Sequence, residues 1–238
     1  MLLRVGTSGY SYKQWKGSFY PEGLADKKML RFYGKQFSTV EINNSFYRMP
    51  SSSVLERWSE EVPEAFAFVL KAPGRITHEK RLKEIGEDLG YLFKTGSVLG
   101  SKLGPILFQL PPSLKQDIPR LQDFLSAVPE NARVAVEFRH SSWFTDEVYK
   151  VLQSSGASLC LADTDDGGAT PLVETSSWGY LRLRRQDYND SDLKLWATKV
   201  RERPWEQTFV FFKHEDEGKG PKLAKRFVEL FEADHRPG

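Results

Sequence analysis

The chain has 238 residues, 39% of them apolar, enough to bury a sizeable core in one large domain or two small ones. Its 34 Lys and Arg against 32 Asp and Glu leave a formal charge of +2, which excludes a surface coated for unspecific DNA binding, so any anion preference must be local. Apolar runs such as 66–70 and 209–212 fall far short of the roughly 20 residues that span a bilayer. Arg4 interrupts the apolar amino terminus and no small-residue cleavage site follows, so neither a membrane segment nor a secretory leader is expected, and the cytoplasm is the expected compartment.

In chain order, a short β-type run at 3–7 opens into a loop rich in rings: Tyr10, Tyr12, Trp15, Phe19 and Tyr20. Met29, Phe32, Tyr33 and Phe37 recur at the helical spacing of three and four, and a second β run follows at 39–43, with Phe46 and Tyr47 behind it. A weak helical segment around Val54 and Trp58 precedes the run at 66–71. Leu89, Leu92 and Phe93 mark the next helix, before a run at 106–109 and the stiff Pro111-Pro112 pair. Asp117 before Ile118 and Pro119 reads as a helix N-cap with proline in the first turn, and Leu121, Leu125 and Val128 continue the stripe. The run at 133–139 leads to a helix carrying Phe144, Val148, Val151 and Leu152, and then to a run at 158–163. The sole cysteine, Cys160, lies in that apolar run, which precludes an internal disulfide or a thiolate metal site and reads as a buried, inert thiol. A run at 180–184 precedes a helix started by Ser191-Asp192 and carrying Leu193, Trp196, Ala197 and Val200. The run at 209–213 and a last helix with Leu223, Phe227, Leu230 and Phe231 complete the chain.

Eight β runs alternating with helical stripes, with no low-complexity linker or repeat, predict a parallel sheet of the α/β class. Eight units favour a single (β/α)8 TIM barrel, one domain over residues 1–238. An open doubly wound sheet is the alternative, but Gly6-Thr7-Ser8-Gly9 lacks the spacing of its dinucleotide fingerprint.

Strand side chains alternate between faces, so a polar residue at the carboxyl end assigns its whole strand. An inward Glu41 carries Thr39 and Asn43 with it, an inward Lys71 carries Val69 and Ala67, and an inward Gln109 carries Leu107. Glu137 goes with Ala135 and Arg139, Asp163 with Leu161, Arg182 with Tyr180 and Arg184, and Lys213 with Phe211. The opposite faces are then almost wholly apolar. This places polar groups from seven strands at the end where barrel enzymes keep their chemistry. A structural ionic plug is the competing interpretation.

Five cations (Lys71, Arg139, Arg182, Arg184, Lys213) outnumber three carboxylates (Glu41, Glu137, Asp163) there, which favours a small anionic ligand bearing phosphate or carboxylate. Glu41 and Glu137 stand on nearly opposite strands and form a candidate acid/base pair, with His78 as a further catalytic candidate. Salt bridges from Glu137 to Arg139 or Glu41 to Lys71 account for the same residues equally well. Candidate binding residues are Tyr10, Trp15, Asn43, Tyr47, Lys71, Gln109, Arg139, Trp143, Asp163, Arg182, Arg184 and Lys213, the rings being placed to stack on a base or sugar or, equally, to form a loop's private core. Gly218-Lys219-Gly220-Pro221 is a weaker phosphate-cradle motif, favoured as plain loop. No HxxxH or HxH spacing points to a metal, the surrounding cations oppose one, and no cofactor is expected.

Gly6-Thr7-Ser8-Gly9-Tyr10-Ser11-Tyr12 with Phe19-Tyr20-Pro21, Val40-Glu41-Ile42-Asn43-Asn44-Ser45-Phe46-Tyr47, Phe68-Val69-Leu70-Lys71-Ala72-Pro73, Leu107-Phe108-Gln109-Leu110-Pro111-Pro112 and Val136-Glu137-Phe138-Arg139-His140 together resemble the DUF72, or YecE-like, family over nearly the whole chain. The resemblance implies a TIM barrel and, because the family's function is unknown, no established catalytic residue. Glu41, Asn43, Lys71, Gln109, Glu137, Arg139 and Asp163 fall at its motif positions. The chain departs from the pattern at Arg182-Leu183-Arg184-Arg185 and Phe212-Lys213-His214, where Arg-Leu-His-Gly and Phe-Asn-Asn are usual; cations replace neutral hydrogen-bonding groups. The leading expectation is an enzyme of hydrolytic or isomerising type acting on an anionic sugar- or nucleotide-like compound. Its rivals are a single-stranded nucleic-acid binder and a non-catalytic anion-binding module.

Overall fold

The computed structural model describes residues 1–165, 170–214 and 216–233. Eight strands lie in parallel: β1 (Leu2–Thr7), β2 (Thr39–Ile42), β3 (Ala67–Lys71), β4 (Leu103–Gln109), β5 (Val134–Glu137), β6 (Ser158–Asp163), β7 (Trp178–Leu183) and β8 (Gln207–Phe212). They follow one another around a ring in which β1 also pairs with β8. Helices α1 (Met29–Tyr33), α2 (Ser52–Glu61), α3 (Gly86–Gly96), α4 (Ile118–Ser126), α5 (Asp146–Ser154), α6 (Asp190–Arg201) and α7 (Lys219–Ala233) cover the outside. Between β6 and β7 no helix occurs among the described residues. The fold is the expected (β/α)8 barrel; residues 166–169, 215 and 234–238 of the expected domain lie outside the described set.

The strands' two faces build two cores. Val40, Ile42, Phe68, Leu70, Ile106, Phe108, Val134, Val136, Leu181, Leu183, Val210 and Phe212 join the large cluster beneath the helices. Inside the ring, Trp178, Tyr180, Phe209 and Phe211 from β7 and β8 project toward small residues, Ala67, Val69, Ala135 and Cys160, on β3, β5 and β6. Large against small fills the lumen, so the barrel is packed below its mouth.

The ring's seam lies between β1 and β2. A single backbone bridge, Ser8 to Glu41, joins the two strands, with the Gly9 N–H donating to the Glu41 carbonyl at 2.8 Å. Below it the Tyr33 hydroxyl does the work of a ladder rung: it donates to the Thr39 carbonyl (3.1 Å) and accepts from the Thr7 N–H (2.8 Å). Gly6 permits this closeness, since a Cβ there would stand 2.1 Å from the Thr39 carbonyl oxygen.

Helix starts follow local chemistry. Asp117 caps α4 by accepting from the Arg120 N–H at 3.1 Å, with proline in the first turn as expected. The start of α6 differs from its reading: Asn189, not Ser191, is the N-cap, and Asp192 completes a reciprocal capping box with it.

Candidate functional site

At the carboxyl end of the ring the lumen turns from rings to ions. Arg182, near the end of β7, spans the barrel: its Nη2 donates to Glu41 Oε1 on β2 at 2.8 Å and its Nη1 to Glu137 Oε2 on β5 at 2.5 Å. Glu41 also accepts from Ser8 Oγ (2.7 Å) and Tyr180 Oη (2.6 Å). Glu137 Oε1 takes the Gln109 amide at 2.7 Å and Arg139 Nε at 3.1 Å. All three charged groups at the centre are buried, between 0% and 1% exposed, which makes them mutually obligatory.

This geometry leaves the expected acid/base pair without a proton to give. Burial opposes ionisation of both carboxylates, yet the Arg182 charge and its hydrogen bonds more than offset it, holding Glu41 below its ordinary range and Glu137 at about 2. Neither carries a transferable proton near neutrality, and every oxygen is already an acceptor. Glu41 and Glu137 therefore order the mouth. The bridge that the sequence suggested between Glu137 and Arg139 is present, whereas Glu41 pairs with Arg182 in place of Lys71.

Lys71, ending β3, behaves differently. Its Nζ donates to Gln109 Oε1 at 3.0 Å and sits 4.3 Å over the Phe46 ring, and among the described residues it contacts no carboxylate within ion-pair distance. Desolvation first, then the Arg182 charge, lowers its pKa to about 8. His78 meets the same Phe46 edge to face at 4.9 Å and shares a 2.9 Å hydrogen bond between its Nδ1 and Thr77 Oγ1. Its pKa too is lowered, by desolvation and then by Lys71 and Arg139. Phe46 reaches this place because Gly74 has no Cβ, and because Ser45 latches its turn to β3, accepting from the Lys71 N–H at 3.1 Å.

Beside Glu137 opens a cavity of about 530 Å³, bounded by Arg139, Arg184, Ala162, Thr164, Asp165 and Thr170 among others. Arg184 forms one wall. Its Nη1 lies 3.7 Å from Glu137 Oε1, beyond hydrogen-bond reach, and its Nε and Nη1 are buried with no acceptor. Burial and the neighbouring Arg182 lower its pKa, a sign of a cation held where positive charge is already in excess.

Several expected site residues lie elsewhere. Asp163 points outward: its Oδ2 accepts from Arg185 Nε (3.1 Å), Tyr188 Oη (3.0 Å) and Trp196 Nε1 (2.9 Å). On β6 the inward line is thus Cys160 and Ala162, opposite to the assigned parity, while Leu161 joins the outer cluster. Trp15 is 1% exposed and packs with Tyr12, Phe19 and Tyr20 as its loop's own core. Trp143 is wholly buried, stacked on Phe138 at 4.6 Å and donating from Nε1 to the Leu114 carbonyl at 2.7 Å. Tyr10 packs edge-on against Trp58 of α2, in an outer groove. Tyr47 is 85% exposed at the rim, Asn43 is half-buried at the end of β2 and Lys213 is exposed after β8. Lys219 anchors a loop, its Nζ donating to the Gln186 carbonyl at 2.6 Å and pairing with Asp187 at 3.0 Å. Cys160 is buried, and desolvation followed by Glu137 raises its thiol pKa. Ser8 and Ala162 escaped the sequence reading, and Phe46 was named there only as a rim ring; Ser8 had a signal, since it shares the parity of Gly6, which pairs with inward Phe211.

The family model described as "Protein of unknown function DUF72" matches residues 4–237. UPF0759 protein YunF of Bacillus subtilis is 24% identical over an alignment covering 98% of this chain and 96% of that protein. UPF0759 protein YecE of Escherichia coli is 30% identical over 144 residues, 60% of this chain and 50% of YecE's own length. A DUF72 family crystal structure from Thermotoga maritima superposes with a TM-score of 0.87 at 29% identity, covering 98% of this chain and 100% of that one. Another, from Enterococcus faecalis, gives 0.80 at 18% identity over 97% and 96% of the two chains, a likeness of fold. Among the described residues no helix is long and apolar enough to cross a membrane.

Proposed function

We propose, from the premise that this chain belongs to the DUF72 family of proteins of unknown function, that its barrel mouth binds a small phosphate- or carboxylate-bearing compound, sugar- or nucleotide-like in size, and acts on it as an enzyme. Arg139 and Arg184 hold the anion. Lys71 and His78, whose pKa values are both lowered, replace the two glutamates as the groups that change protonation during turnover.

The observation that carries this reading is Arg184. Two of its guanidinium nitrogens are buried at the cavity wall without an acceptor and its nearest carboxylate stands off at 3.7 Å, so its charge is incompletely compensated by protein groups and an oxyanion in the cavity supplies the missing negative charge. A small ligand is preferred to a nucleic-acid strand because two of the rings expected to stack bases, Trp15 and Trp143, are buried in private cores.

Thermal-shift titration with inorganic phosphate, phosphorylated sugars, nucleotides and carboxylates tests it. Stabilisation of the wild type, lost at least tenfold in affinity in Arg184→Gln, is the expected result. An Arg184→Gln protein that responds as the wild type does, or a wild type stabilised by no anion, overturns the proposal. Single-stranded oligonucleotides titrated at two salt concentrations supply the contrast, since polyanion binding weakens steeply with salt.

A further inference from the structure

The most specific feature of the mouth is how Lys71 is kept apart from a carboxylate. Gln109 stands between: its Oε1 accepts from Lys71 Nζ at 3.0 Å and its Nε2 donates to Glu137 Oε1 at 2.7 Å. The two bonds fix the amide's orientation, because an ammonium only donates and an ionised carboxylate only accepts. Glu137 thus spends its charge on Arg182 and Arg139, and Lys71 remains a cation without a counter-ion in contact. A lysine whose purpose was to brace the mouth would take that carboxylate directly. An amine held by one neutral acceptor can shed its proton, keep donating to Gln109 and turn its lone pair toward the mouth.

We infer that Lys71 is a covalent catalyst, its Nζ condensing with the carbonyl carbon of an anionic carbonyl compound, a 2-oxo acid or a phosphorylated ketose, whose anionic group lies on Arg139 and Arg184. The inference rests on the anion-binding reading of the mouth. In the first step the Nζ lone pair forms the C–N bond, the carbonyl π pair moves to oxygen, and that oxygen takes a proton while the nitrogen releases one, giving a neutral carbinolamine. In the second a further proton reaches the hydroxyl, the C–O bond breaks, and water leaves. The sum is neutral amine, carbonyl and one proton to iminium and water, with nothing oxidised or reduced. His78, which packs on the same Phe46 ring and feels the Lys71 charge, is the candidate carrier of these protons. The groups that set the charge around Lys71 are Glu41 from β2, Glu137 from β5, and Arg182 and Arg184 from β7 and its end. With a pKa of about 8, Lys71 is neutral in roughly a tenth of molecules at pH 7, against fewer than about one in a thousand for a solvated lysine.

The experiment uses the whole protein with pyruvate or dihydroxyacetone phosphate and sodium cyanoborohydride, read by peptide mass spectrometry, and in parallel measures stabilisation by inorganic phosphate. The expected result is one reduced adduct, on Lys71, rising about fiftyfold in rate from pH 6 to 8 as the neutral amine is released. The adduct disappears in Lys71→Arg, which retains its phosphate response as proof of an intact mouth, and falls at least tenfold in Arg184→Gln. Phosphate stabilisation with no adduct at Lys71, or with adducts spread evenly over exposed lysines such as Lys27 and Lys35, overturns the imine and leaves the anion site standing. Loss of both signals in the wild type overturns the anion reading and this inference with it.

Discussion

Arg182 is the residue on which the mouth depends. It is 1% exposed and neutralises two buried carboxylates contributed by strands on opposite sides of the ring. Removing it leaves Glu41 and Glu137 charged in a desolvated space, a larger loss than the pair's own attraction would suggest. Arg182→Met is therefore expected to lower stability by about 3–5 kcal/mol in urea unfolding, and adding Glu41→Gln and Glu137→Gln to recover part of it. A single substitution costing under about 1 kcal/mol would contradict the obligatory triad. Much of this was legible beforehand: alternation alone put Glu41, Lys71, Gln109, Glu137, Arg182 and Arg184 on the inward face, and all six gather at the mouth. Their roles were not legible. Composition says nothing of which carboxylate a guanidinium chooses, so the grip of Arg182 on both Glu41 and Glu137 could not be read from it.

Among the elements, β6 shows where alternation misleads. The rule assumed that the last polar residue of a strand faces the lumen; Asp163 instead faces the helices, where Arg185, Tyr188 and Trp196 converge on its Oδ2. Nothing in Ser158-Leu159-Cys160-Leu161-Ala162 reveals this, because both faces of a barrel strand are buried and small residues such as Cys160 and Ala162 look indifferent to side. The smallness of Ala162 leaves room for the cavity beside Arg184. The aromatic loop after β1 misled for a related reason: Trp15 and Phe19 are equally suited to stacking a ligand and to filling a loop, and only packing decides. Asp163→Ala strands the Tyr188 hydroxyl and the Trp196 indole N–H, and the expected destabilisation is about 2–4 kcal/mol with the barrel's circular dichroism unchanged. A neutral outcome would mean that water reaches those groups and that Asp163 does not anchor the segment joining β7 to α6.

At the scale of the molecule, the triad makes the protein acid-sensitive in a definable window. The folded Glu137 titrates at about 2, below its ordinary 4.5, so between these values the unfolded chain binds more protons and stability rises with pH. Its contribution is complete above pH 4.5 and is lost as the pH falls toward 2. Urea midpoints are expected to drop across that interval, and Glu137→Gln, though less stable overall, to flatten the slope; an unaltered slope would show that other carboxylates govern acid unfolding.

One detail of the seam reaches further than its size. Seven of the ring's eight joints are backbone ladders, while the eighth rests on a phenolic hydroxyl, a lone bridge and a glycine that admits no side chain. The bridge is made at Glu41, whose main chain closes the hoop and whose carboxylate is gripped by Arg182. Circumference and charge are thus fastened at a single rivet, so whatever loosens the guanidinium's grip on Glu41 slackens the clasp of the barrel as well.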